Sequence, residues 1–237
     1  MIMKTIYLLS ATGFLLLTLI FYFLLFRILQ SAIGKTSWPE VKKKKISAGI
    51  LWGIIVWATL VSLISLSGFS GNFKNFPLNV LPLVGIPLIT TLILLFTPDM
   101  KTLLGYLSLK ALTQLQVFRV FVEVLLWLLF VQNLLPEQMT FEGRNWDILS
   151  GLTAFLAARF LLTSKWWMII WNLLGLGLLI NIVTIAILSM PTPIRVFNNE
   201  PANTIVTQFP FVFLPTFLVP LAYLLHFMSL RKLMMKS

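Results

Sequence analysis

Residues 5–26 read TIYLLSATGFLLLTLIFYFLLF, an apolar run of 22 residues without a charged side chain. An α-helix rises about 1.5 Å per residue, so about 20 such residues cross the hydrocarbon core of a bilayer. Because no water is present there to satisfy backbone N–H and C=O groups, an apolar run of this length favours a membrane-spanning helix. The stretch therefore predicts an all-α integral membrane protein.

Further apolar stretches follow at short intervals along the chain. The 237 residues are 59% hydrophobic and 11% charged, whereas a typical soluble domain is about 25% charged. The stretches are residues 46–66, 78–96, 111–131, 148–163, 166–190 and 209–228. Together with residues 5–26 they predict a seven-transmembrane helix bundle, formed by one integral membrane domain over residues 1–237.

Basic residues set the expected orientation of this bundle. Cytoplasmic loops carry an excess of Lys and Arg, and residues 42–45, all lysine, lie between the first two stretches. Placing them inside puts the N-terminus outside and the C-terminus inside, in the inner (cytoplasmic) membrane. The net charge of +11 is then a consequence of insertion into the lipid bilayer, and no nucleic-acid partner is expected.

Reactive residue types are few. The chain has no cysteine and one histidine, His226, which excludes thiolate chemistry and the paired histidines of zinc proteases. Neither a G-x-S-x-G motif nor a G-x-x-x-x-G-K-S/T motif occurs. We therefore assign no catalytic residue, no metal ligand and no cofactor, and a non-enzymatic role is favoured. His226 is expected near the inner membrane surface, in contact with lipid headgroups.

Two of the stretches share a proline pattern, F-P-x-x-x-L-P-x-x-x-x-P-L. The copies are residues 76–88 and 209–221, and the chain has only 12 prolines. We interpret them as parts of a parallel 3+1+3 repeat, with halves 5–96 and 148–228 and a linker helix at 103–131. Matching proline-interrupted helices point to a transporter site between the halves. The alternative is that the prolines are fixed kinks, which membrane helices tolerate.

The predicted architecture resembles that of the SWEET sugar transporters, which also have seven spans, an outside N-terminus and parallel triple-helix repeats. The P-Q dipeptide of that superfamily is missing here, so no functional residue is transferred. Residues 139–151, MTFEGRNWDILSG, and residues 199–203, NEPAN, resemble segments of uncharacterised multi-pass membrane proteins of Bacteroidota. That resemblance implies no particular activity.

The fourth stretch contains charged residues near its middle. Arg119 and Glu123 are four residues apart, on one face of a helix, so they can pair, although Arg before Glu is the less favourable order. An intramembrane charge costs about 2.5–3.5 kcal/mol on insertion scales. Gln116 continues the stripe, which is expected to face Asn172 and Asn181 of the sixth stretch. Either Arg119 anchors an anion while Glu123 titrates as an alternate proton or cation site, or the stripe is a structural clamp.

A second polar group is expected at the outer mouth of the bundle. Its members lie in the two loops on that side, where they could cover a cavity, and Asn145 or Asp147 is expected to cap the fifth helix. They are Glu142, Arg144, Asn145, Asp147, Glu200 and Asn203.

These features predict that the protein binds or transports a small polar or anionic solute through a central site on the fourth helix. The alternative is a non-catalytic accessory or structural subunit, whose polar stripe contacts a membrane protein partner. An intramembrane enzyme that uses carboxylates is the third hypothesis.

Overall fold

The computed structural model of the chain describes residues 2–235. Within that range the chain is helical and forms no β-strand, so the all-α prediction is confirmed. The α-helices are α1 (Ile2–Lys35), α2 (Glu40–Leu66), α3 (Leu81–Leu95), α4 (Pro98–Tyr106), α5 (Leu109–Leu115), α6 (Phe118–Phe130), α7 (Ile148–Phe160), α8 (Lys165–Leu188) and α9 (Val219–Met234).

Several of these helices are long and apolar enough to cross a membrane. α1, α2 and α8 qualify singly, α5 and α6 together as Leu109–Phe130, and α9 together with the π-helical turn Leu214–Leu218 that precedes it. α3 and α4 add a sixth span if their 78° bend lies within one span, whereas α7 with the turn after it is shorter. Residues 2–235 thus contain five or six potential spans by length and composition, and seven crossings stay a prediction.

The bend between α3 and α4 has a local cause in the sequence. The Oγ1 atom of Thr97 accepts a hydrogen bond from the N–H of Met100 at 3.2 Å, which caps α4. Pro98 is the first residue of α4, a position where its missing N–H is not needed. The single span predicted for residues 78–96 therefore becomes a helix of 15 residues, followed by a new helix in another direction.

The second proline pattern is stabilised by side chains of α1 and α2. Pro220 has no N–H, so the carbonyl of Thr216 four residues earlier loses its helical partner. The Nε1–H of Trp57 donates to that carbonyl at 3.2 Å. One residue later, the Tyr22 hydroxyl donates to the carbonyl of Phe217 at 3.0 Å. Two helices from the N-terminal part of the chain thereby fix the start of α9.

The main apolar core combines side chains of α1, α6 and α9 with others from α3, α4, α5 and α8. α1 packs along α6, and α5 packs against both α7 and α9. Phe14 of α1 is fully buried and meets the ring of Phe211 edge to face, with 5.7 Å between ring centroids. α2 keeps most of its side chains exposed, as is ordinary for a helix that faces lipid.

Basic helix ends gather at one end of the bundle. The Nζ atom of Lys42 lies 2.6 Å from Oδ1 of Asp99 and so joins the start of α2 to α4. The Nζ atom of Lys232, near the end of α9, donates to the carbonyl of Leu104 at 2.6 Å. This common position agrees with the charge pattern of the sequence, while the side of the membrane on which it lies stays a prediction.

Candidate functional site

Arg119 of α6 is buried, with only 2% of its surface exposed. Its guanidinium forms hydrogen bonds with groups outside α6. Its Nε and Nη2 atoms donate to the two carboxylate oxygens of Asp147, with 2.7 Å between Nε and Oδ2. Nη2 also donates to the carbonyl of Gly175 at 3.2 Å. The pair with Glu123 that helical spacing allowed is not formed, because the bidentate carboxylate of Asp147, directly before α7, binds the guanidinium instead.

His226 of α9 is the third side chain bound to Arg119. Its Nε2 atom lies 2.8 Å from Nη1 of Arg119, and its Nδ1 atom lies 2.9 Å from Oδ1 of Asn172. Asn172 uses its Nδ2 group to donate to the carbonyl of Met168, so its Oδ1 must accept from Nδ1–H of the histidine. Nε2 is then the acceptor for Arg119, which requires a neutral imidazole. The expectation of a headgroup contact is wrong, because His226 is fully buried.

Two glycines allow these helices to approach closely. A Cβ atom on Gly175 would lie 2.5 Å from Cε1 of His226, so no larger residue fits between α8 and the imidazole. A Cβ atom on Gly151 of α7 would lie 2.8 Å from the backbone nitrogen of Val120. Close packing of small residues is a common way to bring polar groups of membrane helices together.

Glu123 lies one turn further along α6 and has a different partner. Its Oε1 atom accepts a hydrogen bond from Nδ2 of Asn145 at 2.5 Å, and the same amide group donates to the carbonyl of Met139 at 3.0 Å. Oδ1 of Asn145 accepts from the N–H of Asp147 at 3.1 Å. Glu123 is 2% exposed, and within residues 2–235 no group hydrogen-bonds its Oε2 atom.

A folded-in connection brings Asn145 and Asp147 to these charges. After α6 the chain turns at Asn133, which has a φ of 56°, and passes through a short 3-10 helix at Glu137–Met139. Asn145 and Asp147 are then only 1% and 6% exposed, so they lie with these buried charges, while an outer mouth stays a prediction. Asp147 does precede α7, as predicted, but its side chain binds Arg119 and does not cap the helix.

These residues form one buried polar cluster beside a cavity. We call the group Arg119, Glu123, Asn145, Asp147, Asn172 and His226 the buried polar cluster. The central cavity has a volume of about 260 Å³ and lies between α3, α6, α8 and residues 214–222. Arg119, Glu123 and Asp147 reach its wall, and every other lining residue is apolar or glycine. The cavity thus lies between the two copies of the proline pattern.

The remaining residues of the predicted stripe lie beside the cluster or away from it. Gln116 is buried, and its Nε2 group donates to the carbonyl of Ala222 at 3.3 Å, outside the cavity wall. Asn181 is exposed and donates to the carbonyl of Arg144 at 3.0 Å. The structure therefore joins Asn172 to Arg119 through His226, and it places Asn181 elsewhere.

Two of the other residues predicted at the mouth border a separate, open pocket of about 360 Å³ between the loops that follow α6 and α8. Glu142 and Arg144 line it; Oε1 of Glu142 accepts from Nε1 of Trp127 at 2.5 Å. The guanidinium of Arg144 lies 5.3 Å from the centre of the Phe197 ring. Contacts of this kind stabilise loops that remain in contact with water.

Glu200 and Asn203 stabilise the loop between α8 and α9. The N–H of Ala202, together with Arg195, holds the pKa of the exposed Glu200 carboxyl below its ordinary value. Asn203 is fully buried and donates to the carbonyl of Ala186 at 3.0 Å. Neither side chain lines the central cavity or the open pocket. Within the described part of the chain, no three His, Asp or Glu side chains are grouped as a metal site.

Comparison with known families identifies a match over residues 76–234, to a family described as "Domain of unknown function (DUF8737)". The match covers more than half of the chain, so the chain belongs to this family. Both proline patterns and all members of the buried polar cluster lie within the matched range. Comparisons with curated proteins and with solved structures give no significant match. The resemblances to Bacteroidota proteins and to SWEET transporters stay predictions.

Proposed function

We propose that this protein binds a small solute in the central cavity and moves it across the inner membrane, with Glu123 as the polar anchor. The proposal includes the seven-span topology, with the N-terminus outside and the C-terminus inside, and the parallel 3+1+3 repeat. Transporters built from repeats hold their solute between the repeats, at proline-interrupted helices. The position of the cavity between the two proline patterns supports this arrangement.

The observation that carries the proposal is the free oxygen of Glu123. Glu123 lines the cavity, is nearly fully buried and has one carboxylate oxygen without a hydrogen-bond donor among the described residues. An isolated carboxylate in apolar surroundings is strongly unfavourable. Its charge must therefore be neutralised by a proton or by a cationic solute. Exchange between the two would couple solute movement to proton movement.

Arg119 has a different role in this proposal. Four of the five N–H groups of its guanidinium bind Asp147, His226 and the carbonyl of Gly175, and Asp147 already neutralises its charge, so a single Nη1–H is left for an anionic solute. We therefore assign Arg119 to the clamp that holds α6, α7, α8 and α9 together. The Arg119–Asp147 pair is neutral, so an ionised Glu123 gives the cavity wall a net negative charge. This charge favours a cation, whereas the sequence suggested a small polar or anionic solute.

The same pairing of Arg119 favours the second candidate, a non-catalytic accessory or structural subunit. In that case the whole buried polar cluster would hold the helices together, because the hydrophobic effect does not drive helices to associate in lipid. The free oxygen of Glu123 and the cavity beside it are not needed for such a role. An intramembrane enzyme remains third, because Asp147 is held by Arg119 and only Glu123 is left for chemistry.

Flux measurements in proteoliposomes test the proposal with two membrane-impermeant ions of similar size, benzyltrimethylammonium and benzenesulfonate. We expect uptake of the cation with release of protons, and a tenfold or greater loss of uptake in Glu123→Gln. Gln still accepts the hydrogen bond of Asn145, so folding is retained. Glu40→Gln, an exposed carboxylate at the basic end of the bundle, is the matched control.

Two results would contradict the proposal. The first is uptake no faster than in empty vesicles for both ions, with proteins that show a cooperative thermal transition. The second is uptake of either ion that is equal in the Glu123→Gln variant and the wild type. Uptake of benzenesulfonate alone would leave transport intact and refute the role of Glu123 as anchor.

A further inference from the structure

We infer that the central cavity opens sideways to the bilayer between α3 and α8, and that it takes a monocationic amphiphile, an alkylammonium-type molecule, from the lipid phase. The inference rests on the proposed function and adds the solute class and its route. It follows from the composition of the cavity wall, the positions of its half-buried residues and the charge of Glu123.

The cavity wall matches an apolar molecule with one polar end. Apart from Arg119, Glu123 and Asp147, the wall consists of aliphatic, Phe, Met, Pro and Gly residues. Two of the three exceptions form an ion pair with each other, so among the described wall residues the carboxyl of Glu123 is the charged group without a counter-charge. A sugar or an amino acid would need several partners for its hydroxyl or charged groups, since buried polar groups without partners are unfavourable.

The side of the cavity that faces lipid lies between α3 and α8. Val84 and Gly85 of α3 and Val183 and Ile187 of α8 line the cavity and are half-buried. Each of these helices packs against α9, but they are not a closely packed pair in the described chain. A Cβ atom on Gly85 would meet no atom within 4 Å, so the wall is open at that point. Phe118 and Val122 of α6 close the opposite side.

The volume of the cavity limits how much of the ligand is enclosed. A protein cavity of about 150 Å³ binds benzene, which has six heavy atoms. By proportion, 260 Å³ holds about ten heavy atoms. A longer alkyl chain must extend through the opening between α3 and α8, where it meets lipid tails. A cavity reached only from water would instead reject chains of more than about ten heavy atoms.

Binding to the protein in phosphatidylcholine nanodiscs tests both parts of the inference. The probes are hexyl-, decyl- and hexadecylammonium, with decanol and decyl sulfate as neutral and anionic counterparts, and empty nanodiscs give the lipid partition to be subtracted. We expect the decyl cation to bind about tenfold to a hundredfold more tightly than decanol, because a charge-assisted bond replaces a neutral one. Hexadecylammonium is expected to bind as well as decylammonium once partition is subtracted, since its additional methylenes stay in lipid.

Three variants separate the anchor from the opening. Glu123→Gln is expected to bring the affinity for decylammonium down to that for decanol. Gly85→Leu fills the opening and is expected to weaken hexadecylammonium at least tenfold. Gly177→Leu, on α8 outside the cavity wall, also adds a side chain where no atom lies within 4 Å, and it should change neither affinity.

The outcomes distinguish the inference from the function on which it rests. Equal binding of decanol, decyl sulfate and decylammonium would refute the cationic class. If the wild type binds decylammonium but not hexadecylammonium, the lateral route is refuted. It is also refuted if Gly85→Leu binds hexadecylammonium as tightly as the wild type. If benzyltrimethylammonium is transported in either case, the proposed function stands while the inference fails. If no probe binds and no ion is transported, both fail.

Discussion

Replacing Asp147 by Ala should lower the stability of the protein more than any change to a surface ion pair. The substitution removes both acceptors from a guanidinium that is 2% exposed, and leaves it only His226 and the carbonyl of Gly175. Removing one partner of a buried ion pair costs about 3–5 kcal/mol. Since 1 kcal/mol corresponds to about 2–4 °C for a chain of this size, we expect the Tm to fall by about 6–20 °C.

The measurement is thermal unfolding in one detergent, followed by tryptophan fluorescence. Asp99→Ala is the control, because its pair with Lys42 leaves the two side chains 48% and 40% exposed. An exposed pair contributes about 1 kcal/mol or less, so the control should shift the Tm by at most about 4 °C.

A double variant refines the test of the Arg119 clamp. Arg119→Met with Asp147→Leu replaces the ion pair by apolar groups, a change that is often neutral or stabilising. His226 then loses its donor, which costs about 1–3 kcal/mol. The double variant should therefore recover at least part of the stability lost in Asp147→Ala. If Asp147→Ala unfolds at the same temperature as Asp99→Ala, or if the double variant is less stable than Asp147→Ala, the assignment of Arg119 as a clamp is refuted.

Two further changes test the surroundings of the cluster. Gly175→Ala should lower stability by about 1–3 kcal/mol in the same assay, because its methyl group overlaps the His226 ring, whereas Gly177→Ala should be neutral or slightly stabilising. Because the folded-state pKa of Glu200 is lowered, its bond to the Ala202 N–H is present at neutral pH and is lost only as the pH falls below the ordinary titration range of a glutamate carboxyl. An NMR titration should show the Ala202 amide proton moving upfield in that range, and Glu200→Gln should abolish the step; a step that persists in this variant would contradict the assignment.

Local sequence patterns predicted the helices well, since the length and polarity of a segment determine whether it can lie in lipid. They also contained the signal for one feature that we missed. Thr97, Pro98 and Asp99 form a helix start, with a capping hydroxyl, a proline in the first position and an acid in the first turn. This signal ends the span predicted for residues 78–96 and starts α4, yet hydropathy alone does not register it.

The partners within the buried polar cluster could not be predicted in the same way. Helical spacing suggested that Arg119 would bind Glu123, but it says nothing about groups on other helices. Asp147 lies 28 residues away and reaches Arg119 only because the connection after α6 folds inward. One usable signal was the need of a buried arginine for a carboxylate partner. Asp147 directly precedes an apolar segment, which makes it a candidate for that partner. His226, the only histidine, gave no periodic signal.

The two charges of α6 are held by neighbouring residues of one connection, but with unequal strength. Asp147 binds Arg119 through both carboxylate oxygens, and breaking that pair costs about 3–5 kcal/mol. Asn145 gives Glu123 a single hydrogen bond, worth about 1.5–3 kcal/mol. A ligand shifts a structure only by its difference in affinity between two arrangements. Under the proposed function, a cation that neutralises Glu123 can therefore release Asn145 while the Arg119–Asp147 pair stays intact, so solute-dependent rearrangement should begin at Asn145 and leave the clamp in place.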